Sequence, residues 1–156
     1  MKFRMLWVGK TKEKFLAQGI EFYRRRITHY TQIEIVEVRG ERIPVKADEE
    51  TIRKKEGERL LAKIQPGETV IALDSSGEMF SSEGLSVFFQ KLEAAASNRC
   101  VFIIGGPLGL SKEVKDRADT ILALSPMTFT HEMARLILME QIYRALTIAR
   151  GESYHK

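Results

Sequence analysis

Short apolar runs alternate along the chain with longer segments whose apolar positions recur at helical spacing. The apolar runs predict strands at 2–9, 69–73, 100–104 and 120–124, and an imperfect alternation of isoleucine with glutamate predicts another at 32–38. The amphipathic segments predict helices at 12–30 and 48–64, one capped by Ser81 or Ser82, a short one capped by Ser111, and a last one at 130–149. Short strands that are apolar on both faces and separated by helices are typical of a covered parallel sheet. The pattern therefore predicts a single α/β domain over residues 1–156.

The last predicted helix differs from the others because its apolar residues do not fit one stripe. They are Met133, Leu136, Ile137, Leu138, Met139, Ile142, Tyr143, Leu146 and Ile148. A helix that is apolar nearly all round must be covered on several sides, which is hard to arrange within one chain of 156 residues. We therefore expect this helix to form the interface of a homodimer.

Composition excludes several classes of protein. Charged residues make up 29% of the chain, and no segment approaches the roughly 20 apolar residues of a membrane span. The amino terminus lacks the pattern of a secretory signal, so we expect a cytoplasmic protein without a membrane contact. Cys100 is the only cysteine and lies in an apolar strand, and His29, His131 and His155 stand far apart. We expect a buried thiol and no metal site.

Positive charge is concentrated in the first part of the sequence. Residues 1–63 hold 16 Lys and Arg against 10 Asp and Glu, whereas residues 64–156 hold 9 against 11. A surface that faces a polyanion such as RNA has this composition, because Lys and Arg neutralise phosphates. Ordinary solvated helix faces have it as well, since carboxylates are mixed into the same segments. Charge alone favours neither interpretation.

Unusual turns follow three of the predicted strands, at the sheet edge where ligands bind in open parallel sheets. They are Leu73-Asp74, Gly105-Gly106-Pro107 and the segment Leu124, Ser125, Pro126, Met127, Thr128, Phe129, Thr130. Glycine allows backbone to approach a ligand closely, and the last segment offers backbone groups, hydroxyls and an apolar wall. Together the turns predict a pocket for adenosine. Taken singly, each glycine could merely turn the chain, and Thr130 could merely cap a helix.

Familiar nucleotide signatures are missing. No G-x-G-x-x-G motif occurs, which disfavours an enzyme that uses a nicotinamide dinucleotide. The sequence Gly9-Lys10-Thr11 lacks the upstream glycine of a phosphate loop, because position 4 is Arg4. ATP or GTP chemistry is therefore disfavoured.

The carboxyl terminus gathers an aromatic ring, an imidazole and a cation in Tyr154, His155 and Lys156. Such a segment could fold over a flat nucleobase, stack on it and exchange protons with it. Chain ends usually fray, so a disordered tail is the alternative.

These features together resemble the bacterial ribosomal RNA large subunit methyltransferase H family, over essentially the whole chain. The residues that carry the resemblance are Leu73-Asp74, the loop from Gly105 to Ser111, the segment from Leu124 to His131, Arg144-Ala145 and Tyr154-His155. The resemblance implies a SPOUT methyltransferase fold, with a parallel sheet and a carboxyl-terminal trefoil knot. It also implies a homodimer that uses S-adenosylmethionine to methylate N3 of a pseudouridine in 23S ribosomal RNA on the assembled ribosome.

The resemblance further assigns roles to residues. Leu73, Gly105, Gly106 and the segment 124–130 would hold S-adenosylmethionine, while Arg144, Tyr154 and His155 would face the target base. Our hypothesis is that His155 assists deprotonation of the base, Arg144 stabilises its anionic oxygen and Tyr154 positions it. A non-catalytic factor that binds RNA or ribosomes is the alternative, and tight binding of S-adenosylmethionine would separate the two.

Overall fold

A computed structural model describes all residues from 1 to 156, and it contains one parallel sheet of five strands. The strands are β1 Lys2–Val8, β2 Ile33–Val38, β3 Thr69–Met79, β4 Arg99–Ile104 and β5 Thr120–Ala123, in the order β2-β1-β4-β3-β5. The helices are α1 Lys14–Ile27, α2 Glu49–Leu61, α3 Ser82–Ala94, α4 Lys112–Arg117 and α5 His131–Ala149, followed by a 3₁₀ turn at Ser153–His155. The predicted parallel α/β fold is confirmed.

Both faces of the sheet are covered, which explains why its central strands β1 and β4 are mostly apolar. Along β1, Phe3, Met5 and Trp7 point into one core with α1, α3 and α5. The alternate residues Leu6 and Val8 point into a second core with α2 and α4. The fold is therefore a three-layer sandwich with three helices on one face and two on the other.

Strand β3 is longer than predicted, and the expectation that it ends at Leu73 is wrong. It pairs with β5 as far as Leu73, bulges over residues 74–77, and pairs with β5 again at Glu78 and Met79. The bulge brings backbone close to β5, because a Cβ at Gly77 would lie 2.5 Å from the carbonyl oxygen of Ile121. Only glycine fits there without a shift of the chain.

Three hydroxyl side chains cap the amino ends of helices, as the sequence predicts. Ser81, rather than Ser82, accepts a hydrogen bond from the backbone N–H of Gly84 at 2.9 Å. Ser111 caps α4, and Thr130 caps α5 by accepting from the N–H of Met133 at 3.2 Å. Each capped helix begins after a loop that follows a strand. These loops therefore lie at or beside the carboxyl edge of the sheet.

Helix α5 lies between α1 and α3 on one face of the sheet. Four of its apolar residues, Leu138, Met139, Ile142 and Tyr143, are buried within the single chain, whereas the other five apolar residues of the predicted set are half-buried. The single chain therefore covers this helix only in part, and the homodimer interface expected on it stays a prediction.

The prediction of a buried thiol is confirmed. Cys100 is 1% exposed, as expected, and burial raises the pKa of its thiol. No helix has the length and apolar character needed to span a bilayer. No group of three or more His, Cys, Asp and Glu side chains is placed to hold a metal ion.

Candidate active site

A cavity of about 630 Å³ opens at the carboxyl ends of β3, β4 and β5, and we call it the edge cavity. Its size lies within the usual range for small-molecule sites. The three turns identified in the sequence meet there. The predicted residues that line it are Leu73, Gly105, Gly106, Leu124, Ser125, Met127, Thr128, Phe129 and Thr130. Of the predicted set, Pro126 alone does not line the cavity.

The glycine loop after β4 folds back on itself at the cavity wall. The N–H of Gly109 donates to the carbonyl of Gly106 at 3.0 Å, and the two residues form an isolated bridge. A Cβ at Gly105 would lie 2.6 Å from the carbonyl carbon of Gly109. Backbone therefore forms this part of the wall, and a side chain at position 105 would push the two strands of the loop apart.

The segment after β5 forms the opposite wall and the mouth of the cavity. The hydroxyl oxygen of Ser125 accepts from the N–H of Met127 at 3.0 Å, which turns the chain tightly. Met127 is 74% exposed and Phe129 is 40% exposed, although both line the cavity. These two exposed apolar side chains at the mouth offer a surface on which a flat ring could pack.

The edge cavity contains carboxylates but no fixed cation. Glu13, Asp74 and Glu132 line it, whereas none of its 20 lining residues is Lys or Arg. A lining of this kind attracts a positively charged ligand and repels phosphate. The structure thus agrees with the absence of phosphate-loop motifs from the sequence.

Two ionisable groups of the cavity have altered pKa values. Burial lowers the pKa of His131, and the nearby charge of Arg135 lowers it further, so the ring is neutral at pH 7. Burial alone would raise the pKa of Asp74. Hydrogen bonds from Ser76 and the charge of Lys115 outweigh burial and lower it, so Asp74 stays ionised.

Several lining residues were not identified from the sequence. Glu13 and Leu16 come from the start of α1, and Glu132 comes from the first turn of α5. The carboxylate of Glu132 accepts hydrogen bonds from the N–H groups of Lys12, at 2.5 Å, and Glu13, at 3.1 Å. An acidic residue in the first turn of a helix is ordinarily a favourable helix-start charge, so no pattern in the sequence indicates this contact.

Arg144, Tyr154 and His155 meet at the other end of α5, and with Glu83 and Glu140 we call them the tail cluster. The guanidinium of Arg144 lies over the Tyr154 ring at 4.9 Å, and its Nη1 is 3.5 Å from Nδ1 of His155. The Tyr154 ring packs edge-on against Tyr143 at 4.7 Å. The end of the chain is therefore folded against α5 rather than frayed.

Two carboxylates that the sequence did not identify organise the tail cluster. Glu140 accepts from Nε of Arg144 at 3.0 Å and from the hydroxyl of Tyr154 at 3.1 Å. Glu83, at the start of α3, lies 2.6 Å from Nε2 of His155. Burial raises the pKa of Tyr154, and its hydrogen bond with Tyr23 raises it further, so the phenol remains protonated and acts as a donor.

The edge cavity and the tail cluster are far apart in one chain. His131 borders the cavity at the start of α5, and Arg144 lies 13 residues further along the same helix. At the rise of an α-helix this places them about 20 Å apart. The tail cluster of a chain therefore does not contact a small molecule in the edge cavity of the same chain.

Comparison with known proteins gives consistent results. A family model described as "Predicted SPOUT methyltransferase" matches residues 1–155. The ribosomal RNA large subunit methyltransferases H of Alkaliphilus oremlandii and Halothermothrix orenii are 48% and 46% identical to the chain, over the full length of both proteins in each case. A crystal structure described as a probable methyltransferase from Bordetella pertussis Tohama I superposes with a TM-score of 0.57 at 14% identity, covering 93% of this chain and 96% of that one. The last similarity concerns the fold alone.

Proposed function

Because the chain belongs to the SPOUT methyltransferase family, we propose that it transfers a methyl group from S-adenosylmethionine to N3 of a pseudouridine in 23S ribosomal RNA. The observation that carries the proposal is the lining of the edge cavity, which combines exposed backbone, an apolar wall and carboxylates without any Lys or Arg. The two curated relatives, whose names specify large-subunit ribosomal RNA, support the choice of substrate.

The residues of the edge cavity fit S-adenosylmethionine. Leu73, Leu124 and Phe129 provide an apolar wall for an adenine ring, and the loop at Gly105 and Gly106 provides backbone groups at close range. The carboxylates suit the ammonium and sulfonium charges of the donor. When bound, S-adenosylmethionine supplies a methyl group activated by its sulfonium, so no covalent enzyme intermediate is needed.

The tail cluster is suited to activating the acceptor, because the imide nitrogen of the base becomes nucleophilic only when its proton leaves. The carboxylate of Glu83 accepts from Nε2 of His155, which leaves Nδ1 as the nitrogen that takes this proton. The guanidinium of Arg144 stabilises the anionic oxygen of the deprotonated base. Tyr154, a permanent donor, positions the ring.

A second copy of the chain must bring these two groups together. Methyl transfer requires the reacting atoms to lie within about 3.5 Å of one another, whereas the edge cavity and tail cluster of one chain are about 20 Å apart. We therefore propose a homodimer in which the tail cluster of one protomer covers the edge cavity of its partner. Phe15 and Phe22 of α1, 61% and 48% exposed, are available for the contact.

Other parts of the proposal follow from the family and the substrate. We propose that the carboxyl-terminal part of the chain forms the trefoil knot; support comes from the strand order, in which the chain passes from β4 across β3 to β5 before α5 returns over the sheet. We propose that the protein acts on assembled ribosomes in the cytoplasm. A non-catalytic RNA-binding factor is not favoured, since the matching family and both curated relatives are methyltransferases.

The test uses ribosomes from a strain that lacks the gene. Purified protein and S-adenosylmethionine with a labelled methyl group are added to intact ribosomes, and the 23S RNA is mapped by mass spectrometry. We expect one methyl group on one pseudouridine, and no incorporation when S-adenosylmethionine is omitted. A methyl group on another base, or none at all, would show that the proposed reaction is wrong.

A further inference from the structure

Two loops beside the edge cavity carry cations that have no acidic partner. The lysine loop, residues 9–14, follows β1 and contains Lys10, Lys12 and Lys14. The arginine loop, residues 39–47, follows β2 and contains Arg39, Arg42 and Lys46. All six side chains belong to exposed residues, and none of them forms an ion pair.

The arginine run on α1 behaves differently, although it is the most conspicuous basic motif in the sequence. Arg24 and Arg25 both pair with Glu21, at 2.6 and 3.0 Å. The guanidinium of Arg26 lies over the Phe22 ring at 4.3 Å. These three cations already have partners within the chain. Six of the other cations of the first 63 residues that form no ion pair lie in the two loops, and Lys2, Lys54, Lys55 and Lys63 lie elsewhere.

The lysine loop is fixed to the wall of the edge cavity. Glu132 accepts from two of its backbone N–H groups, and Arg135 donates to the hydroxyl of Thr11 at 2.9 Å and to the carbonyl of Val8 at 2.5 Å. Arg135 is fully buried, and no carboxylate lies close enough to pair with it. Its side chain therefore serves to hold the loop at the first turn of α5, which borders the cavity.

A second acid and arginine, both from α2, fix the arginine loop in the same manner. Glu56 accepts from the N–H of Glu41 at 3.0 Å, and Arg59 donates to the carbonyl of Arg39 at 2.9 Å and pairs with Glu41. The backbone of each loop is thus held by one acid and one arginine of a helix. The exposed cations of the loops remain free to bind an external partner.

The sheet order places the two loops next to the cavity along a single edge. The edge cavity covers the carboxyl ends of β4, β3 and β5, whereas the loops extend from the ends of β1 and β2. At about 4.8 Å between neighbouring strands, the row of five strand ends spans roughly 19 Å. Along that edge, a carboxylate-lined pocket adjoins a surface of unpaired cations.

We propose that the lysine and arginine loops bind the phosphates of the RNA strand that flanks the target nucleotide. This inference rests on the proposed function. Lys and Arg attract phosphates without reading sequence, so the surface would orient the strand while the edge cavity and the partner's tail cluster select the base. The cations bind the substrate, and the cavity without cations binds the donor.

The test compares two triple variants with the same loss of charge. K10Q/K12Q/K14Q removes the lysine-loop cations. K2Q/K63Q/R99Q removes three exposed cations that form no ion pair and lie at or near the amino ends of the strands, at the opposite edge of the sheet. Binding to ribosomes is measured by cosedimentation over a range of salt concentrations, with affinity for S-adenosylmethionine measured by calorimetry.

We expect K10Q/K12Q/K14Q to weaken ribosome binding at least tenfold at low salt and to reduce the slope of log affinity against log salt by about 2, because three contacts to single-stranded phosphates are lost. Donor affinity should stay unchanged, and the control variant should behave like the wild type. Equal losses in both variants, or no loss in the first, would overturn the proposal. Because cosedimentation needs no methyl transfer, absence of the reaction in the wild type is a separate result that concerns the proposed function.

Discussion

The two ends of α5 carry sites that are built in different ways. At its amino end, the edge cavity is shaped by backbone, with the fold-back between Gly105 and Gly109 as one wall. At its carboxyl end, the tail cluster is made of side chains whose charges are matched, with Glu140 on Arg144 and Glu83 on His155. In the proposed function, the edge cavity binds the methyl donor, which is the same molecule in every reaction. A cluster of charged side chains can activate an acceptor that must lose a proton.

This difference predicts that variants of the edge cavity and variants of the tail cluster lose different steps of the reaction. Changes at the cavity should abolish donor binding, whereas changes at the tail should leave donor binding intact and slow the reaction. The variants of Gly105, Arg144 and Glu140 described below therefore test whether donor binding and acceptor activation are separate functions of the two sites.

The largest effect is expected from Gly105→Val in the edge cavity. A side chain there would overlap the backbone of Gly109 and open the loop, and overpacking of about 3 kcal/mol corresponds to roughly 100-fold weaker donor binding. Calorimetry with S-adenosylmethionine measures the affinity, and circular dichroism checks the fold. Gly84→Ala, on α3 away from the cavity, should bind the donor normally. A folded Gly105→Val protein with wild-type affinity would contradict a backbone-built site.

Arg144→Ala should show the opposite behaviour. We expect a rate of methyl transfer about 100-fold lower, because a charged donor to the developing anion is lost, with donor affinity unchanged. Single-turnover kinetics on ribosomes gives the rate. Arg150→Ala is the matched control, since Arg150 is exposed at the end of the same helix and lies over the Tyr30 ring at 4.7 Å. Loss of donor binding in Arg144→Ala would mean that the edge cavity and the tail cluster do not act separately.

Glu140→Gln should have a smaller effect on the tail cluster. The amide keeps the shape of the side chain but removes the charge that aligns Arg144 and receives the Tyr154 hydroxyl. We expect about a tenfold lower rate, the size typical of one charge-assisted hydrogen bond, with an unchanged KM for ribosomes. Glu58→Gln, at an exposed residue of α2, is the matched control for loss of one carboxylate. A raised KM with an unchanged rate would assign Glu140 to substrate binding instead.

Glu56→Gln should change stability and leave the reaction unchanged, because Glu56 does not line the edge cavity and a Gln amide oxygen can still accept from the Glu41 N–H that fixes the arginine loop. The carboxyl is 4% exposed and its Oε1 has no partner. Burial raises its pKa in the folded state. The stability that this carboxyl contributes is therefore present below the unfolded pKa and lost as pH rises through the folded pKa.

Gln cannot ionise, so at pH 7 the Glu56→Gln protein should be more stable than the wild type by about 1 kcal/mol, and the difference should vanish below about pH 4. Urea unfolding at several pH values measures this change. A variant that is less stable at pH 7, or whose difference does not depend on pH, would show that Glu56 is not buried at an energetic cost.

The sequence predicts the fold well because the central strands β1 and β4 are buried on both faces of the sheet. In β1, both the Phe3 and the Leu6 faces are apolar, which distinguishes a parallel sheet from an antiparallel one with a solvated face. The end of β3 was missed because Asp74 to Gly77 are polar or small. Glu78 and Met79 rejoin the sheet only through pairing with β5, more than 40 residues later in the sequence.

The candidate site was predictable where turns follow strands, because parallel strands bring their carboxyl ends to one edge. The acids Glu13, Glu83, Glu132 and Glu140 could not be found in this way. Each lies on a helix or at its start, where an acid resembles an ordinary solvated or helix-start charge. Only the tertiary packing of α1, α3 and α5 brings them to the edge cavity or the tail cluster.

The central claim is that each site is assembled from two chains, and subunit mixing tests it most directly. Gly105→Val chains, with a defective cavity, are unfolded and refolded together with Arg144→Ala chains, with a defective tail, and methyl transfer to ribosomes is measured. Random pairing makes half of the dimers mixed, each with one intact cavity facing one intact tail, so activity should return to about a quarter of the wild-type rate. If each chain used its own tail, no dimer would contain a complete site and the mixture would stay as inactive as the separate variants.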